Sequence, residues 1–357
     1  MKSISRALQL DGLRAVAMVA ICWDHWRPSG WTRMFPFEIF LFFFLVMTGY
    51  LITGSLLRQR DRSEARGGAW KLEALKTYQI RRGLRILAPY YAALAVAFLV
   101  LAPDLWRAPW WYVFHVSNIH MATLPEWPPG TNHFWSLSMQ QQFYLIWPFV
   151  IWFTPRKWMW LAILSFAVIG PLSRSFDGFF SQWWPRPGVL TWACFDYFGV
   201  GGLFAFAVHR GMALESPGLR WISIFAFTCY LAVFGAFLSG WPTFGLRPLQ
   251  QTFLSVALCG FIAAGTVGFR GPVGRWLEHP VLQRIGQVSY GIYLFHNLAP
   301  MVTGKILPFL WHPVFESGLG ALFRVAIFAG VTWLLTLASW RWIEQPLQGV
   351  RSKLTPR

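Results

Sequence analysis

The stretch FEIFLFFFLVMTGYLITGSLL, Phe37 to Leu57, holds a single charged residue, Glu38, in 21 positions. A helix needs about 20 predominantly apolar residues to cross the ~30 Å hydrocarbon core of a bilayer. Irregular backbone cannot face lipid there, because its amides and carbonyls would go unpaired. The stretch therefore predicts a transmembrane helix. Further apolar runs predict spans near residues 8–26, 84–102, 132–153, 157–171, 188–208, 219–239, 248–268, 285–303 and 319–343. Pro- and Gly-rich pieces around Pro128, Pro129 and Gly130, and around Pro185, Pro187 and Gly188, separate runs as loops. The expectation is an all-α, polytopic membrane bundle of about 10 transmembrane helices with no soluble domain left over.

Composition points the same way. Of 357 residues, 55% are hydrophobic and 13% charged, with a mean hydropathy of +0.43, against roughly 25% charged in soluble domains. Many of the 23 Trp and 10 Tyr stand where runs end, as do Trp106, Trp110, Trp111, Trp183 and Trp184, the pattern of an interfacial aromatic belt. Cys22, Cys194, Cys229 and Cys259 lie inside apolar runs without metal-ligand spacing, so they read as packing residues and no metal is expected.

The net charge of +17 would suggest nucleic acid in a soluble protein. Here the positions of the charges account for it. With the N-terminus inside, 22 Lys and Arg fall on the inner side and 8 outside, among them Arg27 and Arg33, while Arg14 lies within the first span. The positive-inside rule then places both termini in the cytoplasm, which requires an even number of spans, and ten satisfies it. The partner implied is a bilayer, not a nucleic acid. The first apolar run contains Asp11, Arg14, Asp24 and His25 and lacks a small-residue cleavage site, so it reads as a retained helix rather than a cleavable signal. No internal repeat of the kind that marks many secondary transporters is visible.

Ionisable groups inside a span are expensive and are functional hypotheses by default. Arg14 and His25 are eleven residues apart; at about 100° per residue they return to within about 20° of one face, separated by a rise of about 16 Å. One stripe of the first helix thus carries a cation near the inner end and an imidazole near the outer end. The plainer alternative is that Arg14 snorkels to lipid phosphates and His25 is an interfacial residue.

Around this pair the residues resemble a family. Leu10-Asp11-Gly12-Leu13-Arg14, with His25 after ten further residues, resembles the Arg-x10-His signature of the acyltransferase 3 family of membrane proteins. Phe43-Phe44-Leu45-Val46-Met47-Thr48-Gly49-Tyr50-Leu51-Ile52 is similar to its Phe-Phe-x-x-Ser-Gly-Phe-Leu-Ile segment, with Thr for Ser. Arg81-Arg82-Gly83-Leu84-Arg85 resembles its basic approach to the third helix, and Phe134-Trp135-Ser136-Leu137-Ser138 the start of its Trp-Ser-Leu-x-x-Glu helix. Ser289-Tyr290-Gly291-Ile292-Tyr293-Leu294-Phe295-His296 and Trp340-Arg341-Trp342-Ile343-Glu344-Gln345-Pro346 complete an ordered series along nearly the whole chain. The resemblance assigns residues 1–345 to the transmembrane acyltransferase unit and leaves 346–357 as a short basic cytoplasmic tail. It is to the standalone branch, without an appended esterase-like domain.

What the resemblance implies is an acyl-coenzyme A donor, commonly acetyl-coenzyme A, used from the cytoplasm, and a hydroxyl acceptor on an exported glycan, glycolipid or other molecule, in a bacterial inner membrane. Arg14, Arg81, Arg82 and Arg85 would then hold the donor's phosphates, for which guanidinium forks are suited, although a positive-inside anchor is the alternative for the last three. His25 would be the general base. Asp24 and Asp196 are candidate orienters of that base, Asp196 equally a structural interhelical pair. His133, Trp135, Ser136, Ser138, Tyr144 and His296 would meet the substrates, with Ser136, Ser138 and His296 also readable as packing or interfacial residues. Gln140 departs from the pattern, standing where the family usually has Glu, and an amide exchanges no proton at physiological pH. The competing class is a proton-coupled transporter or flippase of a glycan or lipid, whose pathway the same intramembrane Arg, His and Asp would form.

Overall fold

The computed structural model describes residues 8–26, 35–243 and 245–353, with side chains described up to 350. The basic residues Lys2, Arg6, Arg27, Arg33 and Arg357, and the last four residues of the expected tail, lie outside these.

Among the described residues the chain is helical and contains no strand. The helices are α1 (Leu8–Trp26), α2 (Glu38–Arg66), α3 (Lys71–Leu99), the short α4 (Pro103–Arg107), α5 (Pro109–Val113) and α6 (Ser117–Thr123), then α7 (Phe134–Phe153), α8 (Met159–Arg174) and α9 (Asp177–Phe180). They continue as α10 (Phe195–His209), α11 (Pro217–Leu238), α12 (Gln250–Val267), α13 (Gly271–Leu277), α14 (Pro280–Gln287), α15 (Ser289–Phe295), α16 (Ala299–Ile306), α17 (Gly318–Ser339) and α18 (Gln345–Lys353), with a π-helical turn, Trp340–Glu344, between the last two. Six helical segments are long and apolar enough to cross a membrane: Glu38–Arg66, Lys71–Leu99, Thr191–His209, Pro217–Leu238, Arg247–Val267 and Gly318–Val350.

Helix occurs within each of the ten stretches expected to span, but among the described residues six helical segments, not ten, have the length and apolarity to cross, and two stretches depart in their bounds. The third begins at Lys71, thirteen residues before the apolar run, because its charged first half has nothing that breaks a helix although hydropathy discounts it. The ninth, expected as one span over 285–303, is divided into α14, α15 and α16; Val288 interrupts it at one point, and at the other His296, Asn297 and Leu298 form a turn before Pro300 opens α16.

Small residues set the helix spacing, as they do where lipid supplies no hydrophobic drive between helices. Helix α10 packs on α2 and α8. A Cβ on Gly201 would lie 2.1 Å from the Val46 carbonyl oxygen, and one on Gly49 2.4 Å from that of Phe198. Helix α1 is seated against the α13–α14 corner by the same device, since a Cβ on Gly12 would meet the Leu277 oxygen at 2.2 Å and one on Gly286 the Asp11 oxygen at 2.0 Å. This contact fixes the height of Asp11 and Arg14 in the bundle.

Buried charge is paired. Arg174 of α8 donates to both carboxylate oxygens of Asp196 in α10, at 3.0 and 2.7 Å, and Thr252 of α12 donates to the same carboxylate at 2.6 Å. At the other ends of the helices, buried Arg60 donates to the carbonyls of Ile151 and Thr154 at 2.7 and 2.8 Å, capping the C-terminus of α7.

Candidate active site

A cavity of about 340 Å³ lies among α1, α2, α3, α7 and α15, within the usual range for small-molecule sites of roughly 300–1,000 Å³. Its walls include Arg14, Met18, Thr48, Arg82, Arg85, Ser136, Gln140, Tyr144, Ser289 and Tyr293. Arg82 and Arg85 reach it together because residues three apart share a helix face; Arg81, about 100° round α3 from Arg82, is not among its walls. The Arg82 guanidinium lies over the Tyr144 ring, 4.6 Å from its centroid. Arg14 is aimed by Asp11, 3.1 Å from Nη1, and by Ser289, whose Oγ accepts from Nη2 at 2.9 Å. Three guanidiniums in one cavity form a receptor for phosphate or carboxylate oxygens. Gln140 donates to Thr48 Oγ1 at 3.0 Å, so two of the positions where this chain departs from the acyltransferase 3 motifs touch each other on the cavity wall.

Farther along α1 stands a cluster of three histidines. Nδ1 of His25 is 3.0 Å from the Ile21 carbonyl oxygen and 3.3 Å from Nε2 of His296. The His296 ring packs edge-on to those of His25 and His133, with centroids 4.9 Å away in each case. The break between α15 and α16 organises the group. A helix that stops leaves its last carbonyls without complete internal partners, and here Tyr293 O accepts from His296 Nδ1 at 2.7 Å while Leu294 O accepts from His133 Nε2 at 3.0 Å. Trp26 Nε1 donates to the His296 oxygen at 2.9 Å. His133 and His296 are buried and His25 is exposed.

Tyr293 belongs to both regions. It lines the cavity, its hydroxyl is 2.6 Å from Ser136 Oγ, and its ring packs 5.2 Å from that of His296. Ser136 donates to the His133 oxygen at 3.0 Å, which leaves its own oxygen to accept from Tyr293.

Of the residues expected at the site, Arg14, Arg82, Arg85, Ser136, Gln140 and Tyr144 share the cavity, and His25, His133 and His296 share the cluster. The others lie differently. Asp196 is engaged by Arg174 and Thr252, and its position against Gly170 puts it in the α8–α10–α12 packing. The His25 ring bonds to Ile21 and His296 and not to Asp24. Ser138, fully buried, is 2.8 Å from Ser117 Oγ, joining α7 to α6, and half-buried Trp135 packs among apolar side chains. Sequence reasoning passed over Tyr293, Ser289 and Thr48. Tyr293 and Ser289 precede His296 by three and seven residues, a helical spacing that places all three on one face and was available as a signal.

A family described as an acyltransferase domain matches residues 8–340, and the chain belongs to it: this is a member of the acyltransferase 3 family. With six long apolar helices among the described residues it is a multi-pass integral membrane protein. The chain is 28% identical to the peptidoglycan O-acetyltransferase of Listeria monocytogenes, over 95% of this chain and 55% of that one. It is 26% identical to a putative peptidoglycan O-acetyltransferase of Bacillus subtilis (96% and 55%) and 24% identical to a putative O-acetyltransferase of Staphylococcus aureus (95% and 57%). The chain thus spans little more than half the length of these relatives. No solved structure matches it.

Proposed function

We propose that the chain is a membrane O-acyltransferase of the bacterial cytoplasmic membrane. It takes an acyl group, acetyl in the simplest case, from cytoplasmic acyl-coenzyme A and delivers it to a hydroxyl of an exported or lipid-linked glycan. The observation that carries this reading is the convergence of Arg14, Arg82 and Arg85 on one cavity that meets the histidine cluster through Tyr293. Ten spans with both termini in the cytoplasm would turn the arginines inward and His25 outward. The rise of about 16 Å between Arg14 and His25 is comparable to an extended pantetheine arm, so phosphates held at the guanidiniums would direct the thioester toward the histidines. The acetyl group and the glycan acceptor are supported by the names of the relatives.

In this reading His25 Nε2 takes the proton of the acceptor hydroxyl as its oxygen attacks the thioester carbonyl carbon. The new C–O bond forms, the C–S bond breaks, and the proton passes from His25 to the leaving thiolate. Ser136, Tyr144 and Gln140 line the path of the donor arm, and exposed His25 faces the side from which an outer acceptor would arrive. No metal enters the scheme.

The test is release of free thiol from acetyl-coenzyme A by the purified protein with a glycan acceptor. His25→Ala is expected to lower it by at least about 100-fold, the lower range of general-base contributions, with an unchanged melting temperature. Wild-type turnover in His25→Ala would overturn the assignment, and glycan movement without thioester loss would indicate a carrier.

A further inference from the structure

A carbonyl oxygen accepts a hydrogen bond and cannot donate one. The Ile21 oxygen therefore requires a hydrogen on His25 Nδ1, and the Tyr293 oxygen requires one on His296 Nδ1. His296 is fully buried, where an unpaired imidazolium would be expensive, so its ring is neutral and its Nε2 carries a lone pair. That lone pair is 3.3 Å from His25 Nδ1. The His25 N–H is thus shared between Ile21 O and His296 Nε2, and the lone pair of His25 stands on Nε2.

We infer that His296 is the positioning residue for His25: as second acceptor of the Nδ1 hydrogen that Ile21 O already requires, it sets the rotation of the ring so that Nε2 meets the acceptor's proton, and it shares the charge of the imidazolium once formed. The inference deepens the proposed function and rests on His25 being the base. Ile21 O lies one turn back on the same helix and steadies the ring from below, whereas His296 comes from the turn between α15 and α16 and sets the ring's rotation from the side. His296 is itself held by Tyr293 O, by the flanking His133 ring and, through its carbonyl, by Trp26. A carboxylate often fills this role for a catalytic histidine. In a fully buried position a carboxylate would need a paired cation, and a neutral imidazole does not. His296 is not among the walls of the donor cavity, so its effect passes through His25.

The experiment compares His296→Ala and His296→Gln in lipid nanodiscs with wild type and His25→Ala, all checked by thermal melting. His296→Ala is expected to lower kcat for acetyl-coenzyme A about 10- to 100-fold, less than loss of the base itself, with KM unchanged. His296→Gln, whose Oε1 can accept the same hydrogen, is expected to recover most of it. Nitrogen-15 spectra of labelled histidine, with His25 assigned by its loss in His25→Ala, give a readout independent of turnover. The His25 Nε2 signal should sit at the lone-pair position in wild type, His296→Ala and His296→Gln alike, since Ile21 O keeps the Nδ1 hydrogen, whereas the Nδ1 signal should shift in His296→Ala, which loses one acceptor, and return in His296→Gln. A raised KM at unchanged kcat, no recovery with Gln, or an unaltered His25 Nδ1 signal in His296→Ala would overturn the inference. Wild-type turnover in His25→Ala would instead remove the base assignment, and the spectra would still report on the pair.

Discussion

Gln140 is the residue on which the chemistry of this chain departs most from the pattern it otherwise follows. Its amide donates to Thr48 in a cavity that already holds three guanidiniums. A carboxylate at the same place would accept from the Thr48 hydroxyl, so the contact survives with its direction reversed. What changes is that a second proton-exchanging group then faces the donor path. Gln140→Glu is therefore expected to raise kcat for thiol release about tenfold, short of the full effect of a general base, without shifting the melting temperature; equal kcat would show that the amide suffices. The pairing of Thr48 with Gln140 was invisible in sequence, because positions 48 and 140 come together only through the crossing of α2 and α7. The Arg14 and His25 stripe, by contrast, was fully legible, since one helix's geometry decides it.

At the scale of elements, Asp196 shows why a buried carboxylate is a weak guide to catalysis. It ties α8, α10 and α12 through Arg174 and Thr252, and both its oxygens are engaged. Removing one partner of such a pair leaves the other's charge uncompensated, at a penalty of about 3–5 kcal/mol. Asp196→Asn should accordingly lower stability by that order in chemical unfolding in detergent, while the folded fraction keeps wild-type kcat and pH dependence. A kcat loss in fully folded protein would return Asp196 to the reaction. Sequence marked this residue as needing a partner but could not say which, because Arg174 lies 22 positions away on another helix and competes with every other buried donor. Nor does hydropathy register that α3 starts at Lys71, or that the run through 285–303 breaks at His296: the average over Ser289–Ile306 stays apolar whether or not the helix is continuous.

For the whole molecule, the proposed direction of transfer depends on orientation. The turn between α2 and α3 and the Glu126 loop are both exposed; cytoplasmic termini, as proposed, would turn the first inward and the second outward. A membrane-impermeant maleimide should label Glu126→Cys in intact spheroplasts and Ala69→Cys only after permeabilisation, both in a Cys229→Ser background; the native Cys22, Cys194 and Cys259 are buried, whereas Cys229 is half-buried. The reverse labelling would invert the donor and acceptor sides together. The broken ninth stretch has a further consequence for how such a protein can change over time. His133, His296 and Trp26 are held by main-chain oxygens of residues 293, 294 and 296, and every amino acid supplies that oxygen. Side chains around the break can therefore drift, Leu294 to any apolar residue of similar volume, with the imidazoles still in register. A single inserted or deleted residue between 289 and 293 would turn the following carbonyls by about 100° and dismantle the cluster at once.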